Sequence, residues 1–472
     1  MMTTRRILLY AVGAVFFLIV LLFGFYNGYR DTLDKKRDAE PATPQEQIVS
    51  RIATTAFPDR VVEIAVNEEN ALKALQLAID SCSLAGGGKV VVKAGHYALN
   101  GPLKLKSNVN LHLEEGAYLQ FSGRADDFLP VVLTRWEGTE LYGHSPMVYA
   151  YHCTNIAITG KGVIDAQGGK EFAPWAAQEA PDRDRLREMG DKLTPVNERV
   201  FGKGTILRPS CMQFLGCSRI LLEDITIKDS PFWTIHPVYC DNVIVRGVTI
   251  DSHFPNNDGC DPESTSNVLI ENCTFRTGDD AIAIKAGRDT DGRSIGRPSE
   301  NIVIRNCLFY SECNGLCIGS EMSGGVANVY MDNIEIGTVK NALYFKSNRD
   351  RGGYIRNVHV NNITIERALG AILRFETNYF GFRGGNYQAR YEDFKISNVH
   401  ARTADHYAIF MDGNEEKPIR NIEVTYFHVD KAERPYYLIY TENIAFKEST
   451  VNGVAVPEYP EESTERQSCD VW

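Results

Sequence analysis

The sequence predicts an all-β fold, a right-handed parallel β-helix, on three observations. A short phrase returns along the chain, its returns are spaced like the coils of a solenoid, and no helical periodicity separates them. The phrase is asparagine followed by three residues dominated by aliphatics. It stands as NVNL at Asn108, NIAI at Asn155, NVIV at Asn242, NVLI at Asn267 and NIVI at Asn301, and returns as NVYM at Asn328, NVHV at Asn357 and NIEV at Asn421. From Asn242 to Asn357 the successive gaps are 25, 34, 27 and 29 residues. Short β-branched runs punctuated by Gly, Asn and Asp are strand signals, and a period in the twenties to thirties is a solenoid signal. Strands without intervening helices cannot form βαβ units, so each turn of chain must stack on the last. Asparagines at matching turns then hydrogen-bond from coil to coil, which makes them structural and not catalytic.

An open solenoid end exposes core and unpaired backbone, so a terminal cap is expected. The one helical pattern follows Asn70, a capping residue, and runs to about Ser81 with Leu72, Leu75, Ala78 and Ile79 at helical spacing. Gly86 to Gly88 end it, and KVVVKAGHY begins the strands. Upstream, Arg5 and Arg6 precede an uncharged apolar run of 20 residues from Ile7 to Tyr26, about the length that spans a bilayer. The run is longer than a cleavable signal and has no A-x-A site, so an uncleaved anchor is favoured over secretion after cleavage. Residues 1–26 are thus expected to be a membrane anchor or signal segment, 27–54 a tether, and 55–472 the β-helix domain, placed periplasmically or at the cell surface. Contact with the membrane is expected through the N-terminal segment only.

The net charge of −11 argues against a nucleic-acid partner, which needs a broad basic surface. The 11 cysteines include no CxxC pair and no zinc spacing, so no zinc site is expected, and no metal or cofactor is assigned. Cys273 and Cys307, in the matching phrases ENCTF and RNCLF, are expected to be buried free thiols, with a disulfide elsewhere left open. Oligomeric state is not legible.

Three segments break the repeat with clustered carboxylates: NNDGCDPES with Asp258 and Asp261, TGDDAIAIKAGRD with Asp279 and Asp280, and CNGLCIGSEMSGG with Glu321. Asp258 and Asp279 are 21 residues apart, about one coil, so they belong to neighbouring rungs on one side of the solenoid. Crowded acids resist joint ionisation, which suits paired acid–base work. Turn chemistry or calcium binding is the plainer alternative for any one of them.

At these residues the chain resembles the polygalacturonase family of glycoside hydrolases, family 28, and its bacterial exo-acting branch. The marks are NNDG at Asn256, TGDDAIAIK at Thr277 and CIGSEMSGG at Cys317. LTRWEG at Leu133, LRPS at Leu207, KDSPFWTIHP at Lys228 and GRPSENIVIRN at Gly296 flank them. The resemblance implies inverting hydrolysis of a pectic polysaccharide or oligosaccharide. Asp279 would be the general acid, and Asp258 and Asp280 would hold the water. Asn256, Lys285, Arg288, Tyr344, Lys346 and Cys313 or Asn314 are the candidates for contact with substrate. Lys285, alternating with Ile284, is expected to face the groove. Trp136 and Trp233 are expected to be buried rather than stacked on sugar, and Arg288, Arg293 and Arg297 crowd a segment that also reads as a solvated loop.

Two departures bear on substrate. The family carries histidine in a G-H-G phrase where this chain has ECNGLCIGS, with Cys313 or Asn314 at that place. Its R-I-K phrase reads YFK here, keeping Lys346 but placing Tyr344 where arginine stands. A phenol cannot make arginine's paired hydrogen bonds to a carboxylate. One reading is a rhamnogalacturonan hydrolase of the same family, and another has Arg288, Arg349, Arg351 or Arg374 compensating. A pectate lyase and a non-catalytic carbohydrate-binding β-helix are the remaining alternatives.

Overall fold

The computed structural model describes residues 42–65 and 71–466. The apolar run Ile7–Tyr26 and the cap at Asn70 lie outside them. No helix among the described residues is long and apolar enough to cross a membrane. Contacts divide the chain into two units, Met1–Ser50 and Arg51–Trp472. Where a tether was expected, Pro44–Arg51 is a helix. Its start is a reciprocal capping box: the Thr43 N–H donates to Glu46 Oε2 (2.8 Å) and the Glu46 N–H to Thr43 Oγ1 (3.2 Å).

The larger unit is a stack of parallel strands, with antiparallel pairing at the hairpin Val132–Trp136/Thr139–Gly143 and at the final pair Thr450–Val451/Val454–Ala455. Successive coils pair in register: Val243 with Val268, Val268 with Ile302, Ile302 with Val329, and Val329 with Val358. The coils continue where the repeats thin out, through Arg390–Asp412, Ile419–Ile439 (which carries the Asn421 phrase) and Thr441–Lys447. All eight phrase asparagines have positive φ, between 55° and 63°. Asparagine tolerates this left-handed turn better than other side-chain-bearing residues. Asn328 donates to Asn301 (3.0 Å) and Asn357 to Asn328 (2.7 Å), so the ladder is structural as expected.

The interior is one apolar core threaded through every coil. The helix Ala71–Leu84 buries Leu75, Ala78, Ile79 and Cys82 against its first coils and ends three residues beyond the predicted stop. The ten described cysteines are all free thiols, Cys273 and Cys307 buried among them. A second helix, Ala180–Asp191, belongs to a long excursion between the strands Val163–Asp165 and Met212–Leu215. It buries Leu186 in a side cluster with Trp136, Phe201 and Phe232. Arg293, for which a solvated loop is one of two readings, belongs to a short helix, Asp289–Ile295, with its guanidinium 3.5 Å from the Tyr387 ring centroid.

Candidate active site

Strand alternation decides which side chains face outward. On Ile282–Ile284, Asn314–Ile318, Asn341–Lys346 and Ala371–Glu376, the core takes Ile282, Ile284, Leu316, Ile318, Leu343, Phe345, Leu373 and Phe375. The intervening Ala283, Cys317 and Tyr344 form a separate outer cluster. Lys285 and Lys346 share that outward phase, as the I-x-I-K and YFK alternation requires.

Register stacks the acids. Cys260 bridges to Ile282, and Ile282 pairs with Leu316, so Asp258, Asp280 and Asn314 stand level on three successive rungs. Backbone bonds confirm it: the Gly259 N–H donates to the Asp280 carbonyl (3.0 Å) and the Ala281 N–H to the Asn314 carbonyl (2.9 Å). Asn314, not Cys313, therefore underlies Asp280. Its Nδ2 donates to Asp280 Oδ1 at 2.6 Å. Cys313 is half-buried, with its sulfur within 4.8 Å of carboxylate oxygens of Asp279 and Asp280. This is the one donor set among the described residues compact enough to hold a metal. Lys346 Nζ, 2.8 Å from Asp280 Oδ2, already supplies the positive charge there.

The adjacent acids sit in opposite environments. Burial pushes Asp280 up, but Lys346 and Lys285, with hydrogen bonds from Lys346 and Asn314, bring it down to about 2. Asp279 is raised by burial and by the charge of Asp280. Asp258 is raised well above the carboxylate range, first by burial and then by Asp261 and Asp279. Lys285 Nζ lies 3.6 Å from both Asp258 and Asp261 and 3.5 Å from Glu321. Asp261 is fully buried and has no hydrogen-bond donor other than a proton carried by Asp258.

Asp279 stands at the junction of two cavities, of about 360 and 400 Å3, together with Asn256, Lys346, Tyr379 and Phe380. Asn256 is held by Arg208, whose Nη2 donates to its Oδ1 at 2.6 Å. The first cavity also takes Asp258, Asp280, Lys285 and Trp233. Trp233 is buried and carries Lys285 Nζ 4.3 Å above its ring, so its near face serves the lysine and not a sugar. Trp136 is likewise buried, stacked on Phe232. Arg288 lines the cavity with its guanidinium tied to Glu137 and Glu321. Arg351 is tied to Asp289.

The second cavity holds Cys313, Asn314, Tyr344, Arg374 and Glu376. The Tyr344 hydroxyl donates to Glu376, which also accepts from Arg374 (Nη2, 3.0 Å). Arg374 pairs with Tyr344 on the next rung, 5.0 Å from its ring, so a guanidinium stands one coil from the place the family gives it. Arg349 instead lies over Phe382.

Sequence reasoning missed Glu137 as a contributor, the helix carrying Arg183 and Arg187, and Tyr379. The helix reads APDRDRLREMGD, and nothing in so polar a string points to a cavity.

A coiled-strand scaffold carrying adjacent acids beside a cavity fits a glycoside hydrolase. Residues 88–445 match the model for Glycosyl hydrolases family 28. The endo-polygalacturonase of Pectobacterium carotovorum subsp. carotovorum is 25% identical over 419 residues, covering 86% of this chain and 93% of that protein. A probable polygalacturonase of Vitis vinifera is 29% identical over 327 residues. That match covers 67% of this chain and spans 61% of the Vitis protein's length. Among solved structures, a hyperthermoactive exopolygalacturonase from Thermotoga maritima superposes with a TM-score of 0.82 at 37% identity, covering 87% of this chain and 96% of its own. The chain belongs to glycosyl hydrolase family 28.

Proposed function

We propose that this enzyme hydrolyses α-galacturonosyl linkages of pectin from a chain end, with inversion. Asp279 is the general acid, and Asp258 and Asp280 hold and deprotonate the attacking water. One observation carries the assignment: Asp280 is paired with Lys346 and hydrogen-bonded by Asn314, whereas its neighbour Asp279 borders both cavities and is raised by burial and by Asp280. Environments that push two acids apart divide the acid and base roles between them. The Asp279 proton passes to the glycosidic oxygen as its bond to the anomeric carbon breaks. Water attacks that carbon from the opposite face and gives its proton to the water-side carboxylates. Asp258 and Asp261 face a single lysine, so one shared proton settles their charge. Asp258 carries that proton toward Asp261, and its passage to Asp261 frees Asp258, beside Lys285, to take the proton of the water.

The exo mode is supported by the Thermotoga relative, an exopolygalacturonase, and by the wall that Glu137, Arg187 and Arg288 build at the first cavity. A second reading, cleavage of a rhamnogalacturonan, is favoured by the Tyr344–Glu376–Arg374 cluster, which leaves the second cavity's arginine already matched by an acid. Product analysis on defined oligogalacturonides and rhamnogalacturonan oligomers decides between them. Release of monogalacturonate with inverted anomeric configuration is expected. An unsaturated product would establish a lyase, and no reducing ends from either substrate would leave only sugar binding. We further place the enzyme outside the cytoplasm, held by residues 1–26. Fractionation should find it with the membrane, and recovery of a soluble, shortened protein would establish cleavage instead.

A further inference from the structure

The first cavity carries six cations, and their partners single one out. Lys285 faces three buried acids and Lys346 pairs with Asp280. Arg288 and Arg187 share Glu137 (2.9 and 2.6 Å), and Arg351 pairs with Asp289. Arg183 differs. Its ion pair is with its sequence neighbour Asp184, at 3.0 Å, and that carboxylate is 64% exposed. A solvent-exposed pair of this kind is weak, so an anion entering the cavity displaces it at little cost. Arg183 and Arg187 lie four residues apart on the helix Ala180–Asp191, hence on one face, and both border the cavity. Arg187 Nε is buried with no hydrogen-bond partner. Both side chains line the same cavity, one held only by an exposed acid and the other with an N–H still unsatisfied, which offers donors to an entering carboxylate.

We infer that Arg183, on the same helix face as Arg187, binds a uronate carboxylate of the substrate in the first cavity and sets the preference for free acid over ester there. The inference rests on the pectin-hydrolase reading, and it makes the helix Ala180–Asp191 a specificity element of that site.

Binding is measured apart from turnover, by calorimetry in the Asp279→Asn background with trigalacturonate and its methyl ester. With Arg183 intact the acid should bind more tightly than the ester. Arg183→Gln should weaken acid binding by roughly 10- to 100-fold, the loss of one charge-assisted contact, and leave the ester unchanged. Arg183→Lys, which keeps the charge without the fork, should restore part of the preference. Equal weakening for acid and ester, or an acid preference that survives Arg183→Gln, overturns the inference. Wild-type turnover of the same oligomers judges the hydrolase reading separately, so the two can fail independently.

Discussion

Lys346→Met tests the charge arrangement most directly. Lys346 is buried and donates to Asp280 at 2.8 Å. Against the upward push of burial, it is the strongest of the groups that bring Asp280 from 3.8 to about 2. A shift of that size corresponds to roughly 2.5 kcal/mol, and breaking a buried pair from one side costs about 3–5 kcal/mol. At neutral pH the variant should lose on the order of 5 °C in thermal midpoint. A group with a lowered pKa contributes stability above its unfolded value, near 3.8, and loses it as pH falls through about 2. The gap between wild type and variant should therefore narrow as pH drops below 3.8. Catalysis gives a second readout. Removing one positive charge raises the acid cluster as a unit, Asp279 included, since Lys346 also lowers Asp279. Both limbs of the kcat/KM profile, measured from about pH 3 to 8, should move to higher pH. An unshifted profile with an unchanged midpoint would refute the assignment of Asp280 as the anion held by Lys346.

Three further outcomes follow from neighbouring groups. Asp261→Asn replaces a carboxyl held neutral below about pH 8, so the acid limb of kcat/KM should stay in place, in contrast to Lys346→Met. Burial pushes Asp261 up to about 8, so its neutral form adds stability fully present below pH 3.8 and lost as pH rises through about 8. The variant should match wild type in thermal midpoint near pH 4 and exceed it at pH 9, and equal midpoints at pH 9 would mean that Asp261 is not held neutral. Asp279→Asn should fold normally, because burial already disfavours the charge it removes. It should lose about 10²–10⁴ in kcat, and retention of more than about a tenth of activity would rule out its acid role. Tyr344→Phe deletes the hydroxyl that donates to Glu376. A hydrogen bond to a charged group contributes about 1.5–3 kcal/mol, so the midpoint should fall by a few degrees with KM unchanged. A large rise in KM would instead make Tyr344 a substrate contact.

Much of this molecule follows from local sequence. A positive-φ turn closing each coil favours asparagine, and the repeating phrase marks eight of those turns between Asn108 and Asn421, while Arg219 and Asp393 hold the same turn in two coils without it. Period-two alternation set Lys285 and Lys346 outward from a core of isoleucine, leucine and phenylalanine, and one coil's spacing put the acids of the NNDG and GDD segments on adjoining rungs. Those relations are short-range, so a single chain displays them. Register was needed to decide that Asn314 and not Cys313 lies under Asp280, because a slip of one residue exchanges inward and outward faces. The partners of Tyr344 also depended on stacking, since Glu376 and Arg374 lie about one coil further along the chain. The wall of the first cavity was the least legible part. Glu137 and Arg288 are 151 residues apart, and the helix with Arg183 and Arg187 comes from an excursion outside the repeat. Which of the six cations are already neutralised there, and which remains open to an anion, is a property of three-dimensional proximity that no spacing along the chain encodes.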